Sequence, residues 1–190
     1  MSSLFFEMIV SLRKAVIMSF SPVRLNHAVL FVTDLERATD FYTEVLGMEI
    51  MAREPRADAA FLRLPRSTNH HDLGLFGIGT TAAPKQRGVV GLYHLAWQVD
   101  TIDELAEALV VLRDKGALVG QSSHGATKSL YGHDPDGNEF EIMWMLPRHA
   151  WHGYSDAAPV DALDLRAELE KWSGISTAHE LCFDPSPTTS

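Results

Sequence analysis

LNHAVLFVTDL (25–35) lies over LYHLAWQVDTI (92–102) at a constant offset of 67 residues, so that His27 falls on His94, Val32 on Val99 and Leu35 on Ile102. Each copy runs on into a stretch with a 3.6-residue apolar period: DLERATDFYTEVLG (34–47), through Leu35, Ala38, Phe41, Tyr42, Val45 and Leu46, and TIDELAEALVVLRDKG (101–116), through Ile102, Leu105, Ala106, Leu109 and Leu112. Asp34 and Thr101 read as N-caps, and Gly47 and Gly116 as stops. Three short strands are expected after each helix, over 48–53, 59–64 and 72–78, then over 117–121, 128–133 and 139–145. The last two are separated by the turn Asp134-Pro135-Asp136-Gly137-Asn138. The order βαβββ therefore occurs twice, which predicts an α+β fold of two modules, 22–80 and 88–147, joined by PKQRG (84–88) into one domain over 22–147.

The flanks carry less. Residues 1–21 form an N-terminal extension whose apolar character is interrupted by Glu7, Arg13 and Lys14, short of the ~20 apolar residues of a membrane span. Basic residues in mid-segment do not match a secretory signal. Phe5, Ile9, Leu12 and Val16 fit an amphipathic helix, and a frayed extension ahead of a start at Met18 is the alternative. The tail, 148–190, holds one helix candidate over 160–172, expected to cover the body or a partner and to carry no chemistry. With 190 residues and 46% apolar side chains, the chain is long enough for a packed core. A net charge of −9 argues against nucleic acid and anionic membranes as partners. The single cysteine, Cys182, excludes an internal disulfide and fits a reducing, cytoplasmic setting.

Chemistry concentrates on the strands. Alternation puts His27, Val29 and Phe31 on one face of the first strand, His94, Ala96 and Gln98 on one face of its repeat, and Glu139, Glu141 and Met143 on one face of the last strand. The opposite faces, with Leu30/Val32, Leu95/Val99 and Phe140/Ile142, suit packing against helices. His27, His94 and Glu141 are then left on the uncovered faces. If the halves sit around a pseudo-twofold axis, two imidazoles and a carboxylate converge as ligands for a divalent ion, leaving open positions for substrate and oxygen. That set suits Fe(II), with Mn, Ni and Zn also compatible. No GxGxxG or GK[ST] loop, GxSxG elbow or HExxH helix is present.

LNHAVLFVTDLERATDFYTEVLGM, YHLAWQV and LYGHDPDGNEFEIMW together resemble the vicinal oxygen chelate superfamily of glyoxalases, bleomycin-binding proteins, fosfomycin-resistance enzymes and type I extradiol dioxygenases, over about 22–147. The resemblance implies paired βαβββ modules forming a cupped mixed sheet around a metal, helices on the outer face, and His27, His94 and Glu141 as its ligands. It also implies a homodimer, with modules paired either within or between chains. Glyoxalases of the superfamily supply a fourth ligand from the position where this chain has Gly74, and its loss resembles the dioxygenase branch. That branch also implies roles for Tyr131, ten residues before Glu141, as a hydrogen-bond donor, and for His124 as a proton shuttle, although the His124–Tyr131 spacing is seven residues where better-known members have nine.

The leading expectation is extradiol-type cleavage of a small aromatic diol by Fe(II) and O2, in a pocket lined by Val29, Phe31 and Phe76. The alternatives are a glyoxalase-like lyase or isomerase, or a thiol transferase, using a Lewis-acid metal, and a non-catalytic small-molecule binding protein. In Asn69-His70-His71-Asp72 a second metal site is disfavoured, because adjacent strand residues face opposite ways. His71 is the better candidate of the two histidines to line the pocket. His133 and Glu139 read as structural flanks of the turn, and His149 and His152 lie beyond the sheet.

Overall fold

The computed structural model describes residues 22–83, 85–86, 88–154, 157 and 159–177; the helix expected over 1–20 and Cys182 lie outside them. The body spans Asn26–Cys182, and residues 1–25 with 183–190 form a separate unit, of which 22–25 are described and carry no regular structure. Within the body the βαβββ order is realised twice. The first module contains β1 (Ala28–Val32), α1 (Leu35–Leu46), β2 (Glu49–Glu54), β3 (Ala59–Arg63) and β4 (Leu73–Gly77). The second contains β5 (His94–Gln98), α2 (Ile102–Asp114), β6 (Leu118–Ser123), β7 (Thr127–His133) and β8 (Glu139–Met145). Each builds a four-stranded sheet, ordered β1-β4-β3-β2 and β5-β8-β7-β6. The β1–β4 and β5–β8 pairs are parallel and the others are antiparallel.

The helices begin where the side chains direct. The Asp34 carboxylate accepts from Arg37 N and the Thr101 hydroxyl from Glu104 N, satisfying first-turn donors. Gly47, at φ 65°, ends α1 in the left-handed conformation that glycine adopts without strain. Leu35, Ala38 and Tyr42 of α1 pack on Leu30, Val32, Leu62, Leu73 and Leu75. Ile102, Leu105 and Leu112 of α2 pack on Leu130, Phe140, Ile142 and Trp144. One face of each sheet is thereby committed to helices, and the other is turned away from them.

The DPDGN turn fastens one module to the other. Asp134 is 4% exposed. Its carboxylate accepts from Asp136 N at 2.9 Å, Asn138 N at 2.8 Å, Asn138 Nδ2 at 2.9 Å and, from α1 of the other module, Tyr42 Oη at 3.1 Å. Asp136 accepts from Thr33 N at 3.0 Å, from the Thr33 hydroxyl, and from Arg37 at 2.8 Å. Burial, reinforced by the Asp134 charge, pushes the Tyr42 phenol well above its ordinary pKa and keeps it a donor.

The tail differs from expectation at its start. Residues 160–163 are not helical, because Asp161 pairs with Ser123 as an antiparallel bridge and Asp164 caps the following helix through Ala167 N. That helix, α3 (Leu165–Trp172), packs Leu165, Leu169 and Trp172 on the second core. Its Glu168 pairs at 2.8 Å with Lys128, whose side chain is 6% exposed and donates to Ser123 Oγ. No helix among the described residues is long and apolar enough to cross a membrane.

Three outcomes are expected in urea unfolding. Tyr42→Phe removes a buried donor from Asp134 and lowers stability by about 1–3 kcal/mol. The raised folded-state pKa of Tyr42 lends stability that is full below about pH 10 and is lost as pH rises further, so the wild type loses stability above that pH more steeply than Tyr42→Phe. Glu168→Ala leaves a buried ammonium without its ion pair and costs about 3 kcal/mol, whereas Glu170→Ala, which removes an exposed partner of Arg166, has little effect.

Candidate metal centre and active site

The helix-free face of the second sheet gathers most of the residues singled out above. In the parallel β5–β8 register His94 pairs with Glu139 and Ala96 with Glu141, while Tyr131 of β7 lies opposite Glu141. Alternation sends Phe140, Ile142 and Trp144 to the core and Glu139, Glu141 and Met143 to the other side. His94 Nε2 stands 3.1 Å from Glu141 Oε2, both side chains being largely buried. Two donors in adjacent positions on one ion, each bonded at ~2.1 Å, are separated by about 3 Å, so this pair has the spacing a divalent metal requires. Among the described residues His94 Nδ1 is buried without a hydrogen-bond partner, and Glu139 Oε1 lies 3.9 Å away.

Tyr131 and His124 meet beside that pair. The Tyr131 ring is 5.8 Å from the His94 ring. Its hydroxyl is 2.8 Å from His124 Nε2 and 3.3 Å from Ser122 Oγ, and Ser122 Oγ is 2.8 Å from the same ring nitrogen. His124 Nδ1 faces the backbone carbonyl of Pro159, in the tail, at 2.8 Å.

His27 lies in the first module, one residue before β1. Its Nδ1 is 2.9 Å from Asn26 Oδ1, and its ring is 4.6 Å from His71. Among the described residues no three His, Cys, Asp or Glu come together as a group able to hold a metal, so within one chain His27 does not join His94 and Glu141. The topology gives the reason. Thr33, just past β1, is bonded to Asp136 in the turn that precedes β8, whereas His27 precedes the strand, about 20 Å away at ~3.3 Å per residue.

The two sheets carry matched positions with different contents. Gly74 pairs with Val29 as Glu141 pairs with Ala96, and Phe61 pairs with Gly74 as Tyr131 pairs with Glu141. The first module thus holds His27, Phe61 and Gly74 where the second holds His94, Tyr131 and Glu141. A Cβ added at Gly74 would approach Val29 Cγ2 to 3.3 Å.

The reading of residues 69–72 needs correction. β4 starts at Leu73, so His70 and His71 lie in a bend, with their Nδ1 atoms 2.9 Å apart. Asp72 organises this loop by accepting from Leu64 N and Ser67 Oγ. His71 packs against Phe61 at 5.0 Å. Partial burial and the neighbouring His27 and His70 push its imidazole below the ordinary pKa and favour the neutral ring. A cavity of about 870 Å³ opens between β1, the connection after β4 and the β7–β8 turn; Val29 and Phe31 line it, together with Tyr93 and Glu139. Phe76 is not among its lining residues and packs edge-on against Phe61 at 6.1 Å.

Ser122 and Pro159 are additions to the sequence reading. Glu139, read from the sequence as a structural flank of the turn, lies beside His94 on the face of Glu141. The Pro159 contact is made by a main-chain atom and has no residue-type signal.

A family profile described as Glyoxalase/Bleomycin resistance protein/Dioxygenase superfamily matches residues 24–142. The chain is 36% identical over 122 residues to a biphenyl-2,3-diol 1,2-dioxygenase of Rhodococcus globerulus, covering 63% of this chain and 62% of that protein. It therefore spans less than two thirds of that relative's length. It is 34% identical over 128 residues to a lactoylglutathione lyase of Neisseria meningitidis, covering 64% of this chain and 90% of the lyase. A crystal structure of a glyoxalase/dioxygenase from Nostoc punctiforme superposes with a TM-score of 0.56 at 21% identity, over 69% of this chain and 99% of that one, which supports the fold. With two βαβββ modules in place and the profile spanning both, the chain belongs to the glyoxalase/bleomycin resistance protein/dioxygenase superfamily.

Proposed function

We propose that this protein is a metal-dependent extradiol-type dioxygenase acting on a catecholic substrate, with its centre completed between two copies of the chain. The observation that carries this reading is the contiguous set Glu141, His94, Tyr131 and His124 on one sheet face, opposite in character to the His27, Phe61 and Gly74 set of the other module. Similarity to a biphenyl-2,3-diol dioxygenase supports it from an independent direction.

The donor set suits a divalent ion, with Fe(II) ahead of Mn, Ni and Zn; His94 and Glu141 of one chain and His27 of the second copy would hold it. When bound, such an ion supplies the redox and Lewis-acid chemistry for ring cleavage by O2. The chain's own groups handle binding and protons. Tyr131 Oη hydrogen-bonds a substrate hydroxyl, and His124 Nε2, 2.8 Å behind it, receives the proton. Phe61, Gly74 and Val29 offer a flat apolar wall to a planar ring. Pairing of copies is favoured by the apolar side chains left open on β1, Val29 at 49% and Phe31 at 68% exposure. A twofold arrangement brings each copy's first sheet to the other's second and produces two equivalent sites.

A lyase reading draws support from the lactoylglutathione lyase covered over 90% of its length. Gly74 weighs against it, since no side chain at that position can add a ligand.

Protein loaded with Fe(II) under anaerobic conditions and then given 3-substituted catechols is expected to consume O2 and form a ring-opened product. Absence of uptake across a varied panel overturns the dioxygenase reading, and turnover of a thiohemiacetal without O2 points to the lyase. Separately, His27→Ala and His94→Ala each abolish tight divalent-metal binding. Co-refolding the two variants is expected to restore one intact site per mixed dimer. No recovery shows that each site is built within one chain.

A further inference from the structure

We propose that the C-terminal segment is part of the active site, with the Pro159 carbonyl as a positioning group that holds a proton on Nδ1 of His124, so that in the neutral ring Nε2 is the proton acceptor facing Tyr131. Three consecutive residues at the end of β6 are each held by the tail. Ser123 exchanges two backbone hydrogen bonds with Asp161, both 2.9 Å. His124 Nδ1 lies 2.8 Å from Pro159 O. Gly125, at φ 75°, lies beneath the Tyr154 ring so closely that an added Cβ would come within 2.2 Å of Tyr154 Cδ1.

The ring state follows from hydrogen-bond capacity. A carbonyl oxygen only accepts, so a ring nitrogen 2.8 Å from Pro159 O must carry a proton. In the neutral ring the proton is then absent from Nε2, whose one lone pair accepts a single strong hydrogen bond. Tyr131 Oη and Ser122 Oγ both lie 2.8 Å from Nε2, and either hydroxyl can donate to it. The result is a cluster of Ser122, Tyr131 and His124 anchored on the Pro159 carbonyl. Proline has no N–H, so it cannot extend the Ser123–Asp161 bridge as a ladder. The Tyr131 oxygen keeps an acceptor site for an incoming hydroxyl. Only that last role rests on the dioxygenase reading; the ring state itself does not.

The test is nitrogen NMR of ¹⁵N-histidine-labelled, metal-free, full-length protein at neutral pH, with the His124 signals assigned by their loss in His124→Asn. The expected result is a single neutral tautomer with the proton on Nδ1. A proton on Nε2 in place of Nδ1 overturns the proposal whatever the enzyme's activity. Tyr131→Phe is expected to leave the Nδ1–H state in place, and its loss there assigns the control to Tyr131 and not to the tail. Asp161→Pro deletes the N–H that bonds Ser123 O, and is expected to turn the single tautomer into an exchanging mixture while the remaining histidine signals stay unchanged. An unaltered His124 in that variant overturns the role of the tail. Should Asp161→Pro fail to fold, the wild-type and Tyr131→Phe spectra still decide the question.

Discussion

The arrangement of the two modules depends on a buried carboxylate, Asp134. It accepts three hydrogen bonds from its own turn and one from a phenol on the other module's helix. An ion so sequestered is tolerable only while all its donors are in place. The turn and α1 are thus bound to each other, and the next carboxylate, Asp136, extends the fastening to Thr33 and Arg37. This clasp fixes how one sheet sits against the other. It joins the end of β1 to the turn before β8 and sends His27 to the opposite end of its strand.

The two copies of the internal duplication differ in the side chains they carry at matched positions. Both copies keep the same strand order, the same parallel first pair and the same relation between the last strand and the first. Where the second copy has a carboxylate and a phenol, the first has Gly74 and Phe61. At these positions the earlier module thereby presents an apolar surface, and the later one a carboxylate and a phenol. The earlier module's own polarity lies in the loop before β4, where His70 and His71 gather around His27.

Much of this was legible in the residues. The offset between His27 and His94 gave the repeat, Asp34 and Thr101 gave the helix starts, and the alternation in the last strand put Glu139 and Glu141 on one face. The distance between His27 and the His94–Glu141 pair was not legible, because strand patterning assigns a face and says nothing of how two sheets are set against each other. That depends on Tyr42 reaching Asp134, a contact between residues 92 apart that looks like ordinary core in one helix and ordinary turn in one loop. The pairing of His70 with His71 escapes the sequence reading because it applies strand alternation to residues that precede β4. The start of α3 was misplaced because Leu163 fits a helical period while Asp161 is engaged in a bridge.

The hold of the tail on His124 runs through backbone atoms at Pro159 and Asp161. Replacing side chains one at a time by alanine would leave most of that grip untouched, whereas adding or removing a single residue between Pro159 and Asp161 would slide the carbonyl off the ring. Selection on this segment should therefore act on its length far more than on its composition, and related chains could drift widely in spelling here while tolerating almost no gaps.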